Sequence, residues 1–169
     1  MDAQVKSPAV LADMVVDDLT WRCATRLRRS DWKTAIDELV STASFALEKP
    51  TLDPAERELH GEVSILPNAI LVTLVNRLGT RVGTLRLERP TIAPVLREYV
   101  RILRSIETCC VAETSPHFEA LDIARRLVHD DAAEMLEGSF SGVHPDRETA
   151  RRLFSLLVLL THDTTKFLS

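Results

Sequence analysis

Glu148-Thr149-Ala150-Arg151-Arg152-Leu153-Phe154-Ser155-Leu156-Leu157-Val158-Leu159-Leu160 lies near the C-terminus of the 169-residue chain. Its first part is charged, and from Leu153 to Leu160 only Ser155 interrupts the apolar run. A helix that is apolar on nearly every side has no face to turn to water. It belongs at the centre of a core or against a partner subunit. His144-Pro145-Asp146 predicts the opening of this helix. The run is far short of the ~18 apolar residues that a membrane span requires, so no membrane association is expected.

Working outward, Ser115-Pro116 is a cap followed by proline at the first helical position, which starts a second helix. Phe118, Leu121, Val128, Met135 and Leu136 mark its inner face, and Gly138 is placed to close it. Before it, Thr91 is read as the cap of a helix with the stripe Val95, Leu96, Tyr99, Ile102, Leu103, Ile106 and Cys110. Arg97, Arg101 and Arg104 form a row on the outer side of that helix and read as a solvated face.

The clearest strand pattern lies upstream. Glu62–Leu66, Ala69–Asn76 and Arg81–Glu88 predict a meander, with Pro67-Asn68 and Gly79 at the turns. Ala69–Val75 is apolar on both faces apart from Thr73 and reads as its central strand. Val10–Val16 predicts a further strand, and Ser44–Glu48 a short extended segment. Trp21–Arg29 carries Arg22, Arg26, Arg28 and Arg29 without a clear period, and reads as a solvated loop, with an anion-binding arm as the alternative. Ser30 is then the cap of an amphipathic helix over Asp31–Ala43, with Trp32, Ile36, Leu39, Val40 and Ala43 inward.

These elements predict an α+β fold: a small, mainly antiparallel sheet (meander 62–88), one N-terminal helix, and three C-terminal helices packed on one sheet face. The division expected is a flexible N-terminus over 1–9, a single domain over 10–163 and a tail over 164–169. The apolar content of 45% supports a real core. The net charge of −4 argues against a nucleic-acid binder. Met1–Ala9 has no signal-peptide pattern. Cys109 and Cys110 are adjacent and unsuited to pair, so a reducing cytoplasm is expected. No metal site and no cofactor are expected, because the cysteines lack a ligand partner at suitable spacing.

Two helical strings carry the candidate chemistry. On one helix Asp122 reaches Arg125 and Arg126 at i+3 and i+4, and Arg125 reaches His129 at i+4. Arg151 and Arg152 face the same strip if the next helix packs antiparallel. Guanidinium forks suit phosphate or carboxylate, so Asp122, Arg125, Arg126, His129, Arg151 and Arg152 form a candidate anion site. The plain alternative is a salt-bridge lattice among Asp122, Arg126 and Asp130. The GxSxG, HExxH, Walker A and GxGxxG strings are absent, and no catalytic residue is assigned.

The string Glu119-Ala120-Leu121-Asp122-Ile123-Ala124-Arg125-Arg126-Leu127-Val128-His129-Asp130 and the later Thr149-Ala150-Arg151-Arg152-Leu153-Phe154 together resemble a family of small uncharacterised alphaproteobacterial proteins. In that family an Asp-x-x-Arg-Arg-x-x-His string precedes a Thr-Ala-Arg-Arg-Leu-Phe string. The resemblance is specific over Pro116–Leu160 and weaker over the meander. This chain departs at its end, where Thr161-His162-Asp163 and a run to Ser169 replace a His-Trp-Arg-Gly-like tail. The resemblance implies genes often encoded near histidinol dehydrogenase and a low-molecular-weight phosphatase-like protein, hence cytoplasmic housekeeping metabolism, and implies no activity.

Two functions follow as expectations. The first is a non-catalytic interaction or structural protein, a homodimer through the last helix or an exposed sheet surface. The second is a binder, or an enzyme, of a small anionic metabolite at the twin-arginine helices.

Overall fold

A computed structural model of the chain describes residues 8–109 and 116–162. Three strands follow one another as an antiparallel meander: β3 (Glu58–Ile65), β4 (Ala69–Asn76) and β5 (Arg81–Glu88). The turn after β4 is built by Asn76, whose side-chain oxygen accepts from the amides of Leu78 and Thr80, both at 3.0 Å. Gly79 then takes φ +82°, a conformation that glycine adopts without strain.

The sheet extends well beyond this meander. β1 (Pro8–Val16) lies parallel to β3, and β2 (Ser44–Leu47) pairs antiparallel with the start of β1. The short strands β6 (Phe140–Ser141) and β7 (Val143–Pro145) pair with β5 and β2 respectively. Only Gly142 separates them. One segment therefore bridges the two ends of the sheet, whose order is β6-β5-β4-β3-β1-β2-β7. At the seam Gly142 has φ +85°, and a Cβ there would stand 2.2 Å from the Val82 carbonyl oxygen. The fold has the mixed α and β content expected and the sheet is mainly antiparallel, but it is a nearly closed, seven-stranded sheet with one parallel pair, larger than the small sheet expected around the meander 62–88.

The concave face carries Leu11, Met14, Leu59, Val63, Val72, Leu74, Leu85 and Leu87, all buried. The last helix, α5 (Arg147–Thr161), is central to the core; Leu153, Phe154, Leu156, Leu157, Val158 and Leu160 are all buried within this one chain. Each such side chain contributes about 1.5–3 kcal/mol by leaving water. Asp146 caps α5 by accepting from the Thr149 amide at 2.8 Å. The Thr149 hydroxyl accepts from the Ser44 amide at 2.9 Å, fixing the helix start to β2. Burial of Leu157 and Leu160 inside the chain removes the last helix as a dimer surface.

α5 lies between α2 (Arg26–Thr42) and α4 (Pro116–Ser139). α3 (Arg89–Thr108) reaches it through Tyr99, whose ring meets Phe154 edge-on at 5.2 Å. The far end of α5 is held by α2: the Trp32 indole N–H donates to Leu159 O at 2.9 Å, and Arg28 donates to the same carbonyl at 3.3 Å. A cation and an N–H donor here satisfy carbonyls that the helix itself leaves free.

Several boundaries differ from the sequence expectation. Trp21–Arg29 is not a loop: α1 (Asp18–Arg22) ends inside it, and α2 begins at Arg26 with Thr25, not Ser30, as its cap. Arg29 donates to the carbonyls of Trp21 and Arg22, Arg28 to α5, and Arg22 pairs with Asp18, so three of the four arginines read as an anion-binding arm are engaged in bonds within the fold. α3 starts two residues before Thr91, with Pro90 in its first turn. α4 runs one residue past Gly138, and His144-Pro145 belongs to β7. Ser115, Cys110, residues 1–7 and the tail 164–169 lie outside the described residues, while Pro8 and Ala9, expected in the flexible N-terminus, open β1 and pair with β2. Among the described residues no helix is long and apolar enough to cross a membrane.

Candidate functional site

The six candidate residues lie on α4 and the first half of α5, where α3 also packs. Asp122 serves both arginines of its own helix. Arg125 donates to its Oδ1 from Nε at 3.1 Å and from Nη2 at 2.8 Å, and Arg126 Nη2 stands 2.5 Å from Oδ2. The Arg125 hydrogen bond, with the positive charge of Arg126 added, holds the Asp122 carboxyl below the usual carboxylate range. Arg125 in turn is held above its ordinary value by Asp122, and the Tyr99 hydroxyl oxygen, accepting from the guanidinium, adds to the effect.

The second twin arginine divides between neighbours. Arg151 Nη1 lies 3.1 Å from Asp130 Oδ1 on α4. Arg152 lies 2.9 Å from Glu148 one turn back and 3.5 Å from Glu38 on α2. Arg147 adds a further tie to α4, at 2.7 Å from Glu137. Several of these approaches bring opposite charges together without aligned hydrogen bonds, as Asp130 Oδ1 and Glu137 Oε1 illustrate. Each of the four motif arginines thus has a carboxylate partner.

His129 does something different from the sequence expectation. It turns inward, 8% exposed, between the rings of Tyr99 and Phe154, each at 5.5 Å. Its Nε2 lies 3.0 Å from Ser155 Oγ on α5. The Ser155 hydroxyl donates to the Arg151 carbonyl at 3.2 Å, so the imidazole N–H donates to the serine oxygen. Nδ1 is then a bare acceptor, buried and without a partner among the described residues. Desolvation lowers the His129 pKa from its ordinary value, and Arg151 and Arg125 push in the same direction against Asp130. The neutral ring is therefore the resting form.

This pair is not set up for nucleophilic attack. The serine proton is committed to a backbone carbonyl, and the imidazole donates to Oγ where a general base would accept from it. The motif brings Arg125, His129 and Arg151 to one seam, while Arg126 stays more exposed, at 63%, and Arg152 faces α2. Sequence reasoning missed Ser155 on α5, Tyr99 on α3 and Glu38 on α2 as members of the site. It also missed a groove of about 690 Å³ between β1 and α2, floored by Met14, Trp21, Ile36 and Val40. Among the described residues no group of three or more histidine, cysteine or acidic side chains is arranged to hold a metal ion.

Comparison with known proteins assigns the chain at this point. The model of an uncharacterised protein family, UPF0262, matches residues 9–163. The chain belongs to the UPF0262 family. A UPF0262 protein of Ruegeria sp. (strain TM1040) is 26% identical over 152 residues, covering 89% of this chain and 96% of the relative. One from Mesorhizobium japonicum is 26% identical over 161 residues, covering 95% and 98%. One from Brucella canis is 26% identical over 153 residues, covering 90% and 93%. The family match spans both twin-arginine strings and the whole described sheet except Pro8. UPF0262 carries no assigned activity, and no solved structure matches the chain.

Proposed function

We propose that this UPF0262 protein is a non-catalytic interaction protein of the cytoplasm whose twin-arginine helices are its scaffold. The observation that carries this reading is the pairing of all four motif arginines with carboxylates. Arg125 and Arg126 share Asp122, Arg151 takes Asp130, and Arg152 takes Glu148 and Glu38. No guanidinium fork is left over for a ligand, and two of these pairs tie α5 to α4 and to α2. The exposed, free thiol of Cys23 suits a reducing compartment. Homodimerisation belongs to the same reading. With the last helix enclosed, the surface that supports it is the outer stripe of α4, where Ile123 and Leu127 are 57% and 60% exposed.

A second reading keeps an anionic metabolite at the motif. It is supported by the unpartnered Nδ1 of His129 and by the two cations, Arg125 and Arg151, that act on that ring from different helices. A protonated ring between them would complete a three-donor anion site.

Thermal melting with and without millimolar phosphate separates the two. The scaffold reading expects the same small response in the parent and in a variant carrying both Arg125→Gln and Arg151→Gln. A rise in melting temperature seen in the parent and lost in the double variant would establish the anion site and overturn the scaffold reading.

A further inference from the structure

β1 is paired on its second side for only part of its length. β2 covers Pro8, Ala9 and Val10, and the chain then turns from α2 into β2 at Ala43. From Leu11 to Val16 no strand among the described residues pairs with that side. The Asp17 amide donates to Val63 O on β3. By the two-residue alternation of a strand, Val16 and Met14 turn their backbone N–H and C=O groups away from β3, toward the open side. The neighbouring groove is lined by consecutive residues of β1, as expected where a strand presents its edge to a cleft.

Across the groove, α2 supplies Ile36 and Val40, both half-buried, and α1 supplies Trp21 to the lining. The rim is acidic. Asp13, Asp18, Asp37 and Glu62 line it against Lys33 alone. Asp18 is paired with Arg22 and Asp13 with His60, while Asp37 has no ion-pair partner among the described residues. Even with Lys33 and Arg22 set against them, carboxylates remain in excess.

We infer that the open edge of β1, together with the groove between it and α2, is a docking site for an extended basic segment of another protein. The segment adds a strand beside Met14–Val16. Strand addition uses backbone groups for affinity and alternate side chains for selectivity. Here one face of the added strand sets apolar side chains on Ile36 and Val40, and the rim meets lysine or arginine. The same charges argue against a second copy of this chain as occupant, because pairing β1 with itself would bring two copies of this acidic rim, Asp13 included, together. Acidic residues and a bulge on an edge strand are devices that suppress self-pairing, and β1 has a register shift between Leu11 and Asp13. This inference names the partner of the interaction protein proposed above and rests on that reading.

The test uses the full chain and two fluorescent peptides of about ten residues, one alternating lysine with valine and one alternating glutamate with valine. Fluorescence anisotropy should show saturable binding of the lysine peptide, weakened by salt, and none of the glutamate peptide. Amide hydrogen exchange should slow at Met14 and Val16 when the lysine peptide is bound. Asp37→Lys, at an exposed position, should cut affinity at least about tenfold, equivalent to 1.4 kcal/mol, without changing the melting temperature. Ile36→Lys serves as a second variant. Equal binding of both peptides, no binding of either, or slowed exchange confined to other elements overturns the docking site. Those outcomes leave the scaffold reading untouched, since that reading stands or falls on the phosphate response of the Arg125/Arg151 variant.

Discussion

His129 on α4 and Ser155 on α5 meet at 3.0 Å in a seam otherwise filled by the rings of Tyr99 and Phe154. This hydrogen bond between two helices, part-buried among aromatics, joins the ties of Arg147 and Arg151 to α4 in fixing how far one helix has slid along the other. It also makes the packing sensitive to proton uptake. Burial, then Arg151 and Arg125, depress the His129 pKa below its ordinary value of 6.5. The unfolded chain therefore takes up a proton as the pH falls through that value while the folded chain resists. Stability is complete above pH 6.5 and declines below it. His162 acts in the same direction, through burial and then Arg89 and Arg97.

Urea unfolding followed from about pH 8 to 5 should accordingly show the midpoint falling as the solution is acidified through this window. His129→Gln can keep a hydrogen bond to Ser155 and cannot titrate, so its midpoint should change less over the same range. The residual change comes from the remaining groups whose pKa is lowered, His162 and then Asp17 and Asp122. An unaltered pH profile in the variant would mean that His129 is not the group responsible.

Dimerisation is testable on α4. Light scattering of the parent at micromolar concentration should give a dimer. Replacing both Ile123 and Leu127 by lysine should give a monomer with the same melting temperature, because both positions are exposed within the chain. A monomeric parent would remove the homodimer and leave the interaction reading to other partners.

How much of this was legible in the sequence depends on the range of the contacts involved. β4 has the bounds that its apolar run between two turns marks, β5 those that its alternation marks, and α5 is as enclosed as its apolar run requires. The pairings of Asp122 with Arg125 and Arg126, and of Glu148 with Arg152, follow from helical spacing alone. What was not legible is long-range. β6 and β7 have two and three residues, too few for any periodicity, so the closure of the sheet was hidden and His144-Pro145 read as a helix start. The arginines of α2 concealed a helix because Arg28 is engaged with the end of α5, far along the chain. The links from His129 to Ser155 and from Arg152 to Glu38 depend on the rotation of one helix against another, which no single helix encodes.

The closing seam gives the sharpest stability test, because two glycines share a positive φ and differ in surroundings. Gly79 and Gly142 have φ of +82° and +85°. A Cβ at Gly79 meets nothing within 4 Å, so Gly79→Ala carries only the left-handed backbone penalty, about 1–2 kcal/mol. At Gly142 the same methyl would stand 2.2 Å from Val82 O, and main-chain atoms have little freedom to retreat. The amide of Glu48 also donates to Gly142 O at 3.0 Å, so displacing the segment weakens its hold on the β2 side as well. Gly142→Ala should therefore cost about 1–3 kcal/mol more than Gly79→Ala, the usual range for forcing extra atoms into a packed site. Denaturant unfolding of the two variants measures that difference directly. Equal losses would show that β6 and β7 can separate from β5 freely, and that the sheet does not depend on this bridge.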